Sequence, residues 1–317
     1  MQQEFIRGLH RLEARHCGSV VTIGSFDGIH LGHRAILQQV TDKARELELP
    51  SVVMVFEPQP HEYFSRERAP ARLTRLREKV KALFAAGIDR VLCLRFDQEL
   101  RSLLAEDFVE QVLVQGLGVK HLVVGDDFRF GCDRRGDYAM LCEAGRENSF
   151  SVSDTATLAR QGERISSTRI RQLLEQDQLA LAEELLGRPF SIAGRVIYGK
   201  QLGRDIGAPT ANVGLGRYRS PVHGVYTVNV RINTDGFVGK MFSGVANVGV
   251  RPTLGGGQKP LLEVHVFDFA EDIYGECIEV IFRQKLRDEK KFNSLEALTA
   301  QIQQDIAEGR KFFDLHG

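Results

Sequence analysis

Val20-Val-Thr-Ile-Gly-Ser-Phe-Asp-Gly-Ile-His-Leu-Gly-His33 is the stretch whose reading decides the fold. The β-branched run 20–23 reads as a buried strand. The segment 34–48 that follows carries Ile36, Leu37, Val40, Ala44 and Leu47 at helical spacing, and reads as an amphipathic helix. Between strand and helix lies a turn bearing Gly24, Gly28 and Gly32. A helix that begins near His30 places the imidazoles of His30 and His33 on one face of its first turn. There they stand beside backbone N–H groups that have no intrahelical partner, at the positive end of the dipole. That is a place for phosphate, and the three glycines let a polyphosphate come close to the backbone.

Working outward, 317 residues with 43% apolar composition suffice for two domains. From residue 20 to about residue 186, β-rich runs at 20–23, 52–56, 91–94 and 122–124 alternate with helical segments such as 75–84 and 105–114. That alternation predicts an α/β domain with a parallel sheet, and ligands at the carboxyl ends of its strands. No Gly-x-x-x-x-Gly-Lys-Ser/Thr occurs, which excludes a P-loop, and Gly116-Leu-Gly118 lacks the rest of a dinucleotide fingerprint. Lysine plus arginine equals aspartate plus glutamate at 42 each, so no global charge draws the chain to nucleic acid or membrane. The cysteines at 17, 93, 132, 142 and 277 are odd in number and show no Cys-x-x-Cys spacing, which argues against a disulfide framework or zinc knuckle. Without a signal-peptide pattern or a run of membrane-spanning length, a cytoplasmic location is expected.

The string Gly-x-Phe-Asp-Gly-x-His-x-Gly-His resembles the His-x-Gly-His signature of nucleotidyltransferases that move an adenylyl group from ATP. In this fuller form it is similar to the bacterial bifunctional riboflavin kinase and FAD synthetase family, from which Ser25 departs where asparagine is expected. The resemblance implies that His30 and His33 are catalytic and that Gly24, Phe26, Gly28 and Gly32 bind ATP phosphates. It extends to Phe56-Glu-Pro-Gln-Pro-His-Glu-Tyr-Phe64, a loop stiffened by two prolines, and to Gly125-Asp-Asp-Phe-Arg-Phe-Gly131. Phe56, Pro58, Pro60, Asp127 and Phe128 are thereby expected at the flavin end of the adenylylation site. In Ile165-Ser-Ser-Thr-Arg-Ile-Arg171, hydroxyls ahead of a helix read as ordinary N-caps. The resemblance adds that Ser167, Thr168 and Arg171 hold the triphosphate opposite the histidine turn.

Near Gly187-Arg-Pro-Phe190 the helical period ends, and this stretch reads as the linker between domains 1–186 and 187–317. Beyond it, residues 225–232 alternate, with Tyr226, Val228, Val230 and Ile232 on one face, as do 262–267 and 278–282. A small antiparallel β-barrel is predicted, closed by a helix that starts at an Asn293-x-x-Glu296 capping pair and buries Leu295, Leu298, Ile302 and Ile306. Lys200-Gln-Leu-Gly-Arg-Asp-Ile-Gly-Ala-Pro-Thr-Ala-Asn212 supplies cations, glycines and two oxygen donors of the kind that suit Mg2+. Its Gly-x-Pro-Thr-Ala-Asn portion resembles the riboflavin kinase signature, with Gly224-Val-Tyr, Asn247-Val-Gly-Val-Arg-Pro-Thr253, Glu263-Val-His265, Asp272-Ile-Tyr-Gly275 and 286–292 following in family order.

The resemblance therefore implies a bifunctional enzyme that phosphorylates riboflavin to FMN in its C-terminal domain and adenylylates FMN to FAD in its N-terminal domain. ATP, riboflavin and FMN are then substrates, and Mg2+ serves both transfers. It places Thr210 and Asn212 on the metal, Lys200, Gly203 and Gly207 on phosphate, Arg287 on flavin, and Glu263 as the kinase base. Glu263 faces opposite to Val264 along its strand, so its carboxylate can reach a pocket. No nucleic-acid or membrane partner is expected, and any self-association is expected to be weak or transient. Two other readings are an adenylyltransferase for a different acceptor with a regulatory β domain, and a non-catalytic flavin sensor.

Overall fold

The computed structural model describes residues 3–125, 127–155, 158–160, 163–199, 207–232, 234, 236–252 and 258–316. Lys200, Gly203 and the glycine run 255–257 lie outside the described residues. Contacts divide the chain into two compact units, one of Met1–Pro70 with Leu76–Ser166 and one of Ala71–Arg75 with Ser167–Gly317.

The first unit holds a six-stranded parallel sheet built from β1 (Glu4–Arg7), β2 (Ser19–Ile23), β3 (Ser51–Glu57), β4 (Arg90–Arg95), β5 (Val119–Val124) and β6 (Ser151–Asp154). Its spatial order is β1-β4-β3-β2-β5-β6. Both faces are covered, as parallel sheets require. Val21, Ile23, Val52, Met54, Leu92 and Leu94 pack on one side, and Val20, Val53, Val55, Val91, Cys93 and Val123 on the other. The four expected strands are the central ones, while β1 and β6 are additional edges of four residues each. β1 carries one half of a forked ion pair, in which Arg15 Nη1 and Nη2 donate to the Glu4 carboxylate at 2.8 and 2.7 Å. Those bonds hold the Glu4 carboxyl well below the usual range, at about 2.

The helices in this unit are α1 (Leu31–Glu46), α2 (Pro60–Phe64), α3 (Leu76–Ala85), α4 (Gln98–Ser102), α5 (Ala105–Phe108), which continues in wider turns through Gly116, and α6 (Tyr138–Glu147). The proline loop after β3 is therefore partly helical: Pro60 is at the start of α2, and Gln59 with Glu62 forms a reciprocal cap. After β2 the chain runs to β3 and β4 on one side, then returns to place β5 on the other side of β2. The crevice between the carboxyl ends of β2 and β5 is thus the topological switch point, where ligands bind in open α/β sheets.

The second unit begins with α7 (Ser167–Glu175) and α8 (Leu179–Leu186), which ends at Gly187 in the left-handed conformation, φ 69°. A closed antiparallel barrel follows: β9 (Ser191–Ile197), β10 (Ala211–Gly214), β11 (Gly224–Ile232), β12 (Met241–Pro252), β13 (Gln258–Val266) and β14 (Cys277–Arg287), in spatial order β10-β13-β12-β11-β14-β9. Pairing of β9 with β10 completes the closure. The expected face of β11 is fully buried, with Tyr226, Val228, Val230 and Ile232 all at 0% exposure. The Tyr226 phenol is 2.9 Å from both Asp177 Oδ1 and the His223 carbonyl, which ties the turn between α7 and α8 to the barrel.

α9 (Leu295–His316) packs on the barrel, with Leu298, Ile302 and Ile306 of the expected stripe half-buried and Leu295 outside it. Ser294, rather than Asn293, caps its first turn by accepting from the Ala297 N–H at 3.2 Å. Leu295 is exposed, and the buried positions are Asp305 and Gly309. Gly309 is needed because a Cβ there would stand 2.5 Å from Val245 Cγ1. Asp305 is buried because Arg287, at the end of β14, donates to both its carboxylate oxygens, from Nε at 2.8 Å and Nη2 at 2.7 Å. Removing one partner of such a pair strands the other charge. Asp305→Ala should destabilise the protein by about 3 kcal/mol in urea unfolding, whereas replacing Arg287 and Asp305 together by leucine should cost far less. Equal losses would show that the pair does not hold the helix.

Candidate functional site

The turn after β2 lies at the switch point. His30 is the N-cap of α1, and its Nδ1 accepts the His33 N–H at 3.2 Å. Because Nδ1 accepts, the proton of the neutral ring is on Nε2. The two imidazoles stack with centroids 3.7 Å apart and planes 17° apart, and Phe26 lies 5.0 Å from His33. Phe26 and Ile29 hold φ values of 43° and 45°, and both side chains are buried in the core beside Val20 and Leu37. Positive φ costs about 1–3 kcal/mol at each such residue, so this core anchorage keeps the turn in its conformation. Gly28 shares the left-handed region at φ 90°. A Cβ on Gly32 would stand 3.2 Å from the His30 ring and 3.3 Å from the Ile165 carbonyl, and one on Gly24 would meet the Phe26 ring at 3.1 Å. Those two glycines therefore make room for the rings of the site itself.

The other expected residues of this unit stand at neighbouring strand ends. Phe56 is the penultimate residue of β3, with its ring 6.0 Å from Phe96, and Pro58 and Pro60 carry the chain into α2. Tyr63, Phe64 and Phe96 form an edge-to-face cluster there, with centroid distances of 5.3 to 6.0 Å. After β5, Phe128 stacks on the buried Phe130 at 5.7 Å, and the Asp127 carboxylate accepts from Arg164 Nη1 at 3.1 Å. In the other unit, Ser167 opens α7, with Thr168 and Arg171 three residues apart on one helical face. Arg171 Nε donates to the Ala71 carbonyl at 2.6 Å.

In the barrel, strand register assembles what the sequence leaves scattered. Asn212 of β10 stands opposite Glu263 of β13, Glu263 opposite Asn247 of β12, Asn247 opposite Val225 of β11, and Val225 opposite Arg287 of β14. Directly opposed residues share a face, with Cβ atoms about 4.5–5.5 Å apart. Val264, the next residue after Glu263, is fully buried. Glu263, Asn247 and Arg287 line a cavity of about 340 Å³ beneath Leu298, Ile302 and Asp305 of α9. A second cavity of about 350 Å³ is lined by Val196, Val264, Val266, Ile273 and Tyr274. Thr210 lines both.

Asn212 is buried, and Gly199 exists as glycine because a Cβ would collide with the Asn212 amide. Gly207 holds φ 72°, in the left-handed region that favours glycine. Arg287 spends Nε and Nη2 on Asp305 and Nη1 on the Asp288 carbonyl, leaving its remaining N–H groups for any flavin contact. Asn247 and His265, quoted from sequence within motifs but given no role there, join the cavity wall. Their two-residue alternation with buried valines was legible, but only the register puts them beside Glu263.

Comparison with known proteins bears on both halves. Residues 12–169 match a family model described as FAD synthetase, and residues 186–313 one described as riboflavin kinase. A bifunctional riboflavin kinase/FMN adenylyltransferase of Pseudomonas fluorescens is 52% identical over 307 residues, covering 97% of each chain. The protein of that name from Escherichia coli (strain K12) is 52% identical over 313 residues, covering 98% of each. A crystal structure of a macrolide-efflux protein from Streptococcus pneumoniae superposes with a TM-score of 0.76 at 32% identity, covering 95% of this chain and 97% of that one. Among the described residues, no helix is long and apolar enough to cross a membrane.

Proposed function

The chain belongs to the bifunctional riboflavin kinase/FMN adenylyltransferase family, and from that premise we propose how its residues divide the two reactions. It phosphorylates riboflavin with ATP to FMN, and adenylylates FMN with ATP to FAD, releasing pyrophosphate. We assign phosphorylation to residues 187–317 and adenylylation to 1–186.

The observation that carries the kinase assignment is the position of Thr210 on the walls of two cavities, only one of which Glu263 lines. Riboflavin occupies the cavity with Glu263 and Arg287, the nucleotide occupies the other, and the phosphoryl group crosses at Thr210. The terminal ribityl oxygen forms its bond to the γ-phosphorus as the bond to the β–γ bridging oxygen breaks, and ADP leaves. Glu263 orients that hydroxyl and takes its proton. Adjacent Val264 is fully buried in the barrel core, which fixes the side of the sheet on which the carboxylate stands.

The donor set around Thr210 fits Mg2+. A hydroxyl and a carboxamide oxygen stand on one strand end with the Glu263 carboxylate directly across, and no cluster of three or more His, Cys, Asp or Glu residues occurs among the described residues. Such a sparse set suits a cation that binds mainly through phosphates. When bound, Mg2+ would offset charge on the phosphate oxygens. Thr210 and Asn212 would hold it, and Gly207 would let the phosphates approach the backbone. Lys200 and Gly203 are assigned to the same phosphates on the signature alone.

Adenylyl transfer is assigned to the histidine turn. An FMN phosphate oxygen attacks the α-phosphorus of ATP and pyrophosphate leaves, so negative charge grows on the α- and β-phosphate oxygens. The start of α1 and the His30 and His33 rings supply preorganised donors where that charge develops, and no covalent histidine intermediate is required. Ser167, Thr168 and Arg171 are assigned to the triphosphate, and Phe56, Pro58, Pro60, Asp127 and Phe128 to the flavin, on the signatures alone.

Two variants separate the reactions. His33→Ala should lower FAD synthesis by roughly 10²-fold or more while FMN formation persists. An equal fall in both activities would contradict two separate sites. Asn212→Ala should abolish FMN formation from riboflavin yet make FAD at the normal rate when FMN is supplied. If supplied FMN fails to restore FAD in the folded variant, the Pro-Thr-Ala-Asn turn serves adenylylation as well.

A further inference from the structure

Pro209 has no N–H, so the turn that presents Thr210 and Asn212 cannot extend the β10–β13 ladder by donating from that residue. The paired register of β10 with β13 begins at Ala211, opposite Val264. Immediately before it, a side chain replaces the ladder: His265 Nδ1 lies 2.9 Å from the Pro209 carbonyl oxygen. A carbonyl oxygen only accepts, so Nδ1–H donates and the ring is fixed as that tautomer.

The imidazole is itself held from behind. Phe267, two residues on, meets it edge to face at 5.8 Å, and Arg310 of α9 lies 4.7 Å over the other ring. Arg310 is anchored by two bonds to the Asp268 carboxylate, at 2.8 and 2.9 Å. Gly309 brings α9 close enough for this, since a Cβ there would stand 3.1 Å from the Phe267 ring. A continuous set of contacts thus runs from α9 through Arg310, Phe267 and His265 to the carbonyl that precedes Thr210.

We propose that His265 is a positioning residue of phosphoryl transfer, whose Nδ1–H holds the Pro209 carbonyl and thereby fixes where Thr210 and Asn212 present their oxygens. This rests on the reading that Thr210 and Asn212 hold the metal of the kinase site. His265 touches neither the transferring phosphoryl group nor the hydroxyl in this account. Its effect is to lower the freedom of a turn whose ligand oxygens must reach one point together. Partners one step behind a metal's own ligands commonly govern its affinity by 10- to 100-fold.

The chemistry supplies a discriminating pair of variants. The side-chain amide of asparagine places an N–H near the position of Nδ1, whereas that of glutamine places one near Nε2. In the full chain, His265→Ala and His265→Gln should raise the Mg2+ concentration that half-saturates FMN formation by roughly tenfold or more, with most turnover recovered at high Mg2+. His265→Asn should stay within about threefold of the parent, since it keeps an N–H donor for the Pro209 carbonyl. Amide hydrogen exchange followed by mass spectrometry supplies a second readout without any ligand. The peptide spanning 210–214 should exchange about tenfold faster in the alanine and glutamine variants, which is what losing about 1.4 kcal/mol of local hydrogen bonding gives, and near the parent rate in the asparagine variant.

FAD synthesis from supplied FMN, unchanged in all three, reports that the chain is folded. If asparagine and glutamine behave alike, or if exchange at 210–214 is unaltered in every variant, His265 does not position the turn and the proposal is overturned. If instead His265 variants speed exchange as expected but Asn212→Ala leaves the Mg2+ dependence of FMN formation intact, the positioning contact stands and the metal assignment fails.

Discussion

Closure of the barrel is the constraint on which the kinase half depends. A closed sheet has no free edge along which a strand can slip, and each strand's alternate residues must fill the interior. Leu262, Val264 and Val266 satisfy that demand on β13, so Glu263 and His265 are forced to the other face, where α9 roofs a cavity. The same rule on β10 and β12 brings Asn212 and Asn247 to either side of Glu263. A one-residue slip would turn the carboxylate into the hydrophobic interior. The Glu263 carboxylate is thus aimed by the packing of valines and leucines.

The N-terminal unit solves a different problem by a different means. Parallel strands covered on both faces leave their carboxyl ends as the open surface, and the reversal of connections at β2 and β5 makes a crevice there. The turn that fills it carries positive φ at Phe26 and Ile29, a conformation unfavourable for both residue types. Their buried side chains offset that cost, and the return is a helix start whose N-cap is an imidazole stacked on a second imidazole. Donors are thereby fixed before a phosphate arrives, as electrostatic stabilisation requires. The helix start and the two rings lie together because His30 is at once the cap of α1 and the partner on which His33 stacks.

Much of this was legible in the sequence because it follows from short-range periodicity. The strand-turn-helix at 20–48, the alternation in β11 and the change of fold type beyond α8 depend on nearest neighbours along the chain. The edge strands β1 and β6 were not legible: four residues of mixed polarity carry no period, and β1 exists through pairing with β4 and the grip of Arg15 on Glu4. The end and the most buried positions of the α9 face were missed for a related reason. Leu298, Ile302 and Ile306 turn inward as their helical spacing predicts, but the barrel also offers a charged partner at Arg287 and demands a close approach at Gly309, so Asp305 and Gly309 are the fully buried positions while Leu295 stays out. Candidate residues taken from signatures lie on strand ends, turns, a helix start and the middle of β13, whereas Asn247 and His265, quoted only as motif members, are put beside Glu263 by long-range register. Sequence separation, not chemical subtlety, set that limit.

Glu263 is the residue in which fold and chemistry meet, and its substitution tests the account most directly. Glu263→Gln preserves shape and register but cannot take a proton. Single-turnover phosphorylation of riboflavin at saturating ATP and Mg2+, with flavin binding followed by fluorescence, distinguishes the roles. The account predicts flavin affinity near that of the parent, with FMN formation slowed by roughly 10²- to 10⁴-fold, the span attributed to a positioned general base. Near-normal turnover would contradict it and leave Glu263 an ordinary strand residue at the cavity wall.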